Sequence, residues 1–127
     1  MPINISSGTL LVYVLSTMFI SIIKIYPATG SEHTTIDVFE SLKVAIASLP
    51  DCLECIVAVE AGEDGQVCYM EQWRTREALD RHLRSPLYGR VLEAMELSRA
   101  EPEVSFFKVS RIGGLELVGN VRVSTII

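Results

Sequence analysis

The most constraining stretch of this sequence is Val67 to Leu83, because its apolar spacing changes once, in mid-run, from that of a strand to that of a helix. Val67, Tyr69, Glu71 and Trp73 alternate with Cys68, Met70, Gln72 and Arg74, so the first four share one face of a strand. Thr75 then has the chemistry of an N-cap and Glu77 suits a first helical turn. Ala78, Leu79, His82 and Leu83 follow at helical spacing. A strand running straight into a helix places a Trp at the strand's end and a His on the helix, where both can look into one cleft. Taken alone, these residues describe a small α+β domain with a polar-lined apolar pocket.

The flanking chain extends this unit. Gly62-Glu63-Asp64-Gly65 is a tight turn rich in hairpin residues, and it joins a strand over about Leu53–Glu60 to the strand Gln66–Arg74. Upstream, Ile36, Phe39, Leu42, Ala45, Ile46 and Leu49 recur at helical steps after a capping Ser31, and Leu49-Pro50-Asp51 ends that helix. Downstream, Ser85-Pro86 opens a second helix reaching about Arg99, with Leu87, Tyr88, Val91, Leu92, Met95 and Leu97 as its apolar residues. Val104–Ile112 reads as a further strand, broken by Gly113-Gly114.

Thr9–Tyr26 is nearly all apolar and rich in β-branched residues. It reads as two strand-like pieces, about Leu10–Leu15 and Phe19–Tyr26. A membrane anchor is the competing reading, but residues 1–8 carry no Lys or Arg. The expected organisation is an N-terminal extension over 1–17, read as an extra strand with Met18 as a candidate start, a domain over 18–113, and a tail over 114–127. Leu115–Val123 alternates loosely and reads as a last strand that would contact a partner subunit.

The resulting order is the ferredoxin-like β-α-β-β-α-β of the α+β class, with an antiparallel sheet. Both faces of its strands are apolar, as in Ile20 and Ile22 against Phe19, Ile23 and Ile25. A sheet apolar on both faces must be covered on both, which predicts a homodimer packed sheet against sheet.

At 127 residues and 49% hydrophobic, one domain can bury a real core. A net charge of -5 argues against a nucleic-acid partner. Three cysteines, Cys52, Cys55 and Cys68, make no disulfide framework and suit a reducing cytoplasm. Cys52 and Cys55 have the C-x-x-C spacing but lead into a strand, where residues three apart point to opposite faces; small buried hydrophobes are the expected role. No Ser-His-Asp spacing, P-loop or dinucleotide fingerprint is present.

The run Tyr69-Met70-Glu71-Gln72-Trp73, followed by Glu77-Ala78-Leu79 and His82-Leu83, resembles the antibiotic biosynthesis monooxygenase (ABM) domain family. The likeness covers about Met18–Ile112 and includes the step Leu49-Pro50-Asp51-Cys52-Leu53, where Asp51 replaces the family's Gly. The resemblance implies a dimeric α+β barrel and a cofactor-free, metal-free oxidation of a quinol or aromatic compound by dioxygen. On that basis Trp73 and His82 line the cavity, with His82 as proton acceptor and Glu71 to orient it. Tyr69, Tyr88 and Leu79 are the implied substrate contacts. The haem-degrading branch also needs an Asn on its first strand, and Phe19–Tyr26 has none. The residues leave plainer roles open: core packing for Trp73, Tyr69 and Tyr88, a structural His82, and a Glu71 that caps or pairs with an Arg. Two other functions stay open on the same fold, a non-catalytic ligand-binding or stress-response dimer and a small-molecule isomerase using His82.

Overall fold

The computed structural model of the chain describes residues 17–62 and 65–126, with side chains described through residue 123. Its elements are β1 (Thr17–Ile25), α1 (Glu32–Ala47), β2 (Cys52–Val59), β3 (Val67–Trp73), α2 (Arg76–Leu83), α3 (Pro86–Met95), β4 (Glu103–Ser110) and α4 (Leu115–Ile126). The strands form one antiparallel sheet in the order β2-β3-β1-β4, the ferredoxin-like arrangement. The strand expected over Leu10–Leu15 lies outside the described residues.

β3 sits between β1 and β2, and its alternation is strict. Val67, Tyr69, Glu71 and Trp73 are all buried, whereas Cys68, Met70 and Gln72 are half-exposed. The inward row packs with Ile23 and Ile25 of β1 against Phe39, Leu42 and Ile46 of α1 and Val91 and Ala94 of α3. Each large aliphatic or aromatic side chain taken from water here contributes about 1.5–3 kcal/mol. Leu92, expected among the apolar contacts of α3, is instead exposed, and α3 ends at Met95 rather than near Arg99.

The caps explain the helix boundaries. Thr75 is extended and its Oγ1 accepts from the Ala78 N–H at 3.0 Å. Ser85 does the same for the Tyr88 N–H at 3.2 Å, with Pro86 in the first turn. Ser31 is a cap by position only. Its hydroxyl makes no cap bond; the Gly30 N–H donates to Glu32 Oε1 at 3.0 Å and Thr35 Oγ1 donates to the Ser31 carbonyl at 3.0 Å. Gly65, with φ +57°, supplies the left-handed turn before β3 that other residues take at a cost.

Two further sequence expectations are corrected. Leu53 is an extra residue in β2: Cys52 pairs with Trp73 and Glu54 with Gln72, so the ladder bulges between them. Cys55 lies opposite Glu71, and Trp73 and Glu71 share a face, so Cys52 and Cys55 lie on one face and do not diverge. Both remain free thiols. The second correction is Leu115–Ile126, which is helix rather than a last strand. A helix satisfies its own backbone groups without a ladder partner. Its start is also capped, with the Gly114 N–H donating to Glu116 Oε1 at 2.8 Å. That bond lowers the Glu116 carboxyl below the usual range. α4 belongs to a second compact unit, separate from residues 18–109. Among the described residues no helix is long and apolar enough to cross a membrane.

Candidate functional site

The inner face of the sheet is laid out in cross-strand rows. Phe19, Trp73 and Cys52 form one, Ser21, Glu71 and Cys55 the next, and Ile23, Tyr69 and Val57 the third. A carboxylate at the centre of such a face has no water to solvate it, and burial without partners would be prohibitive. Glu71 is 0% exposed and is met by three donors. The Tyr69 hydroxyl donates to Oε2 at 2.9 Å, the Trp73 indole N–H donates to Oε1 at 3.1 Å, and His82 Nε2 lies 3.1 Å from Oε2. The alternative of an Arg partner for Glu71 is thereby replaced by a Tyr, a Trp and a His.

His82 reaches this carboxylate because Thr75 starts α2 immediately after β3, and Ala78, Leu79 and His82 then face the sheet. The imidazole is fixed on both sides. Trp73 stacks on it with ring centroids 4.6 Å apart and planes at 30°, and Tyr88 of α3 meets it edge-on at 5.3 Å and 82°. Ser85 Oγ donates to the His82 carbonyl at 2.7 Å, tying α2 to α3 at this residue. An ionised carboxylate only accepts, so opposite an ionised Glu71 Nε2 is the donor, and in a neutral imidazole Nδ1 then keeps the lone pair. Nδ1 and Ser21 Oγ are buried polar atoms without a hydrogen-bond partner among the described residues.

Burial and the Glu71 charge shape the neighbouring titrations. The Tyr69 phenol is raised far above its ordinary value, first by burial and then by Glu71, so it stays a donor. Tyr88 is raised for the same two reasons. Burial pushes the Cys55 thiol up to about 11, and its Sγ donates to the Tyr69 oxygen at 3.3 Å. Cys52 is also raised by burial. Both thiols are therefore protonated near neutrality, unlike the depressed thiols of redox C-x-x-C pairs.

A hollow of about 160 Å³ lies beside the stacked rings. Leu49, Pro50, Trp73 and Ala78 give it apolar walls, and Asp51, Arg81, His82 and Ser85 add polar groups. Trp73 and His82 thus border a common space, but they stack on each other and the space lies beside them, not between them. Tyr69, Glu71 and Tyr88 do not line it; they stand behind the imidazole. Leu79 lines a different hollow, on another side of α2. The residues of 49–51 and the neighbours Arg81 and Ser85 were absent from the sequence-based site, although the Leu49-Pro50-Asp51 step was visible as a helix end. A larger open groove of about 600 Å³ runs between α1 and α3, past Asp37 and Arg90, and holds none of these groups. Among the described residues no three His, Cys, Asp or Glu side chains gather as metal ligands would.

The family model described as antibiotic biosynthesis monooxygenase matches residues 18–94, and the chain belongs to that family. No curated protein matches the chain in sequence. Solved structures share its fold at low identity. A conserved protein from Methanosarcina mazei superposes with a TM-score of 0.69 at 18% identity, covering 78% of this chain and 99% of the other. An antibiotic biosynthesis monooxygenase structure gives 0.63 at 18%, covering 73% and 99%. A Pseudomonas aeruginosa protein gives 0.63 at 21%, covering 78% and 98%.

Proposed function

We propose that the protein is a cofactor-independent monooxygenase that oxidises a single-ring phenol or quinol with dioxygen. One observation carries this reading: His82, buried, stacked on Trp73 and paired with Glu71 behind it, lines a largely apolar hollow, and its Nδ1 has no partner among the described residues. The volume supports a small guest. A cavity of roughly 150 Å³ accommodates benzene, so about 160 Å³ suits one ring and is far too small for haem or a polycyclic compound.

In this reading His82 Nδ1 accepts the phenolic proton, while Glu71 holds the Nε2–H and balances the imidazolium that forms. The phenolate gives one electron to dioxygen, and superoxide couples with the phenoxyl radical at a ring carbon. The imidazolium returns its proton to the resulting peroxide. Loss of the proton on that carbon and cleavage of the O–O bond then give a quinone carbonyl and water. One oxygen atom enters the product and the other leaves as water. The dry walls prevent premature quenching of the radical pair.

The dimer belongs to the same proposal. On the face of the sheet away from the helices, Ile22, Met70 and Ile56 form a half-exposed apolar row across three strands. A second copy of the sheet is the cover such a row fits.

One observation favours a second reading, a non-catalytic ligand-binding domain: Nδ1 itself has less than 1 Å² of exposed surface, so a guest must displace side chains to reach it. Oxygen-electrode assays over single-ring phenols and quinols, with ¹⁸O₂ to trace the inserted atom, separate the two. Uptake with one labelled oxygen in the quinone supports the oxygenase. Ligands that raise the melting temperature with no uptake would transfer the protein to the second reading.

A further inference from the structure

α2 divides two hollows. Ala78, Arg81 and His82 face the one beside Trp73, whereas Arg76, Leu79, Asp80 and Leu83 face the other. Each set follows the three- and four-residue spacing of one side of a helix. The two arginines of α2 are therefore parted. Arg76 Nε donates to Asp80 Oδ1 at 2.8 Å within its own stripe. Arg81 is left to the hollow that His82 lines. There the two neighbours differ sharply in burial: the imidazole is the inner polar group, and the guanidinium stands exposed at the mouth. The mouth is built from the turn after α1, from α2 and from Ser85. The sheet face assigned above to a second copy carries Ile22, Met70 and Ile56 instead, so that assembly does not use the mouth.

The charges at this mouth do not balance. Asp51 stands opposite two guanidinium groups, with Arg74 Nε 3.8 Å from Oδ1 and Arg81 Nη1 3.9 Å from Oδ2. Two positive charges share one carboxylate, so one positive charge is left over. Among the described residues Asp51 is the one ion-pair partner of Arg81. Their separation is longer than an N–H···O hydrogen bond, so the attraction is Coulombic and the Arg81 fork makes no hydrogen bond to Asp51. That planar fork suits a carboxylate, which it can meet with two parallel bonds. A single surplus charge also suits a monoanion better than the dianion of an aryl phosphate. We infer that this hollow takes a single-ring hydroxylated aromatic carboxylate, with Arg81 selecting the acid over a neutral phenol. The ring lies against Trp73 and Ala78, its hydroxyl points inward to His82, and its carboxylate meets Arg81 at the mouth. As a statement about substrate this rests on the oxidation reading above, which it narrows from phenols to aromatic acids.

The test is an anaerobic amide NMR titration of the full chain with gentisate, gentisyl alcohol and the corresponding dihydroxybenzylamine. Excluding oxygen keeps binding apart from turnover. Saturable gentisate shifts are expected at residues 49–51 and 81–85 and at the Trp73 indole N–H. The alcohol binds at the same place about five-fold more weakly, and the amine weakest. Arg81 is exposed, so Arg81→Ala keeps the fold; it weakens gentisate about five-fold and the alcohol less than about two-fold. Arg81→Lys recovers part of the loss. Asp51→Asn removes the competing carboxylate and tightens gentisate by about two- to three-fold, a gain that a damaged fold does not produce. Arg76→Ala, on the other stripe, changes none of these affinities. Equal affinity for acid and amine, an Arg81→Ala variant that keeps the acid preference, or saturable shifts confined to other residues would each overturn the assignment. Oxygen uptake is read separately. Uptake with neutral quinols and no acid preference would sink this inference and leave the oxidation reading standing. Acid-selective binding at these residues with no uptake would support the anion site and sink the oxidation reading.

Discussion

Glu71 Oε2 and His82 Nε2 stand 3.1 Å apart, and neither side chain retains more than a trace of solvent contact. In water such a pair is worth little. Here each group depends on the other, because the loss of one leaves a buried polar or charged group unpaired. Stability and the proposed chemistry therefore rest on the same contact, and substitutions must be chosen to separate them.

Glu71→Gln is the separating variant. The amide oxygen still accepts from the Trp73 indole, but its NH₂ group takes the place of Oε2, confronts Nε2 and favours the tautomer with the proton on Nδ1. The expected outcome is a folded protein, destabilised by about 1–3 kcal/mol in urea, with oxidation slowed by about 10²–10⁴-fold. Imidazole ¹⁵N shifts report the tautomer directly. An unchanged tautomer with an unchanged rate would remove Glu71 from the mechanism.

His82→Ala removes the base and one of three donors to Glu71, and opens space beside Trp73. It should cost about 3–5 kcal/mol if Glu71 stays ionised. Added imidazole should restore part of the oxidation rate. Restored stability without restored turnover would limit His82 to a structural part.

Trp73 is the chain's single tryptophan. Its fluorescence should therefore report occupancy of the adjacent hollow directly. Trp73→Phe keeps the stack but loses the N–H bond to Glu71, an expected cost of about 1.5–3 kcal/mol by thermal or urea denaturation. A phenol that binds without altering the emission of the parent protein would place its site elsewhere.

Alkaline stability follows from the buried thiol. Cys55 rises from an ordinary 9.0 to about 11 on folding, so the unfolded chain ionises first. This stabilisation is complete below about pH 9 and is lost as pH climbs toward 11. The raised Tyr69 phenol carries the loss to still higher pH. Cys55→Ala should flatten the 9–11 segment of a stability–pH curve measured by urea denaturation.

Arg81 pairs with Asp51 at 3.9 Å at the mouth of the hollow, and the two side chains are 70% and 38% exposed. Such a pair is worth about 0–1 kcal/mol. Arg81→Ala should leave the melting temperature nearly unchanged while speeding the entry of neutral phenols in stopped-flow fluorescence, and high salt should mimic it.

The parts of the structure legible in sequence are those set by neighbours along the chain. The alternation of β3, the Thr75 and Ser85 caps and the Gly65 turn each need only a few adjacent residues. Features requiring cross-strand register were hidden. The bulge at Leu53 depends on where Trp73 sits across the ladder, and it reversed the reading of Cys52 and Cys55. Glu71 was visible as a polar residue on an apolar face, which is itself a signal, but its three donors come from two elements. Leu115–Ile126 carries apolar residues that fit either period, and the sequence had no means to choose.

The division of labour along α2 has a consequence for how this protein can change. Among the described residues no side chain lines both hollows, so point substitutions on one stripe can reshape one hollow while the walls of the other are left alone. Inserting or deleting one residue in the first turn is a different matter. It would rotate the rest of the helix by about 100°, carrying His82 off its carboxylate and Leu79 out of the other hollow at once.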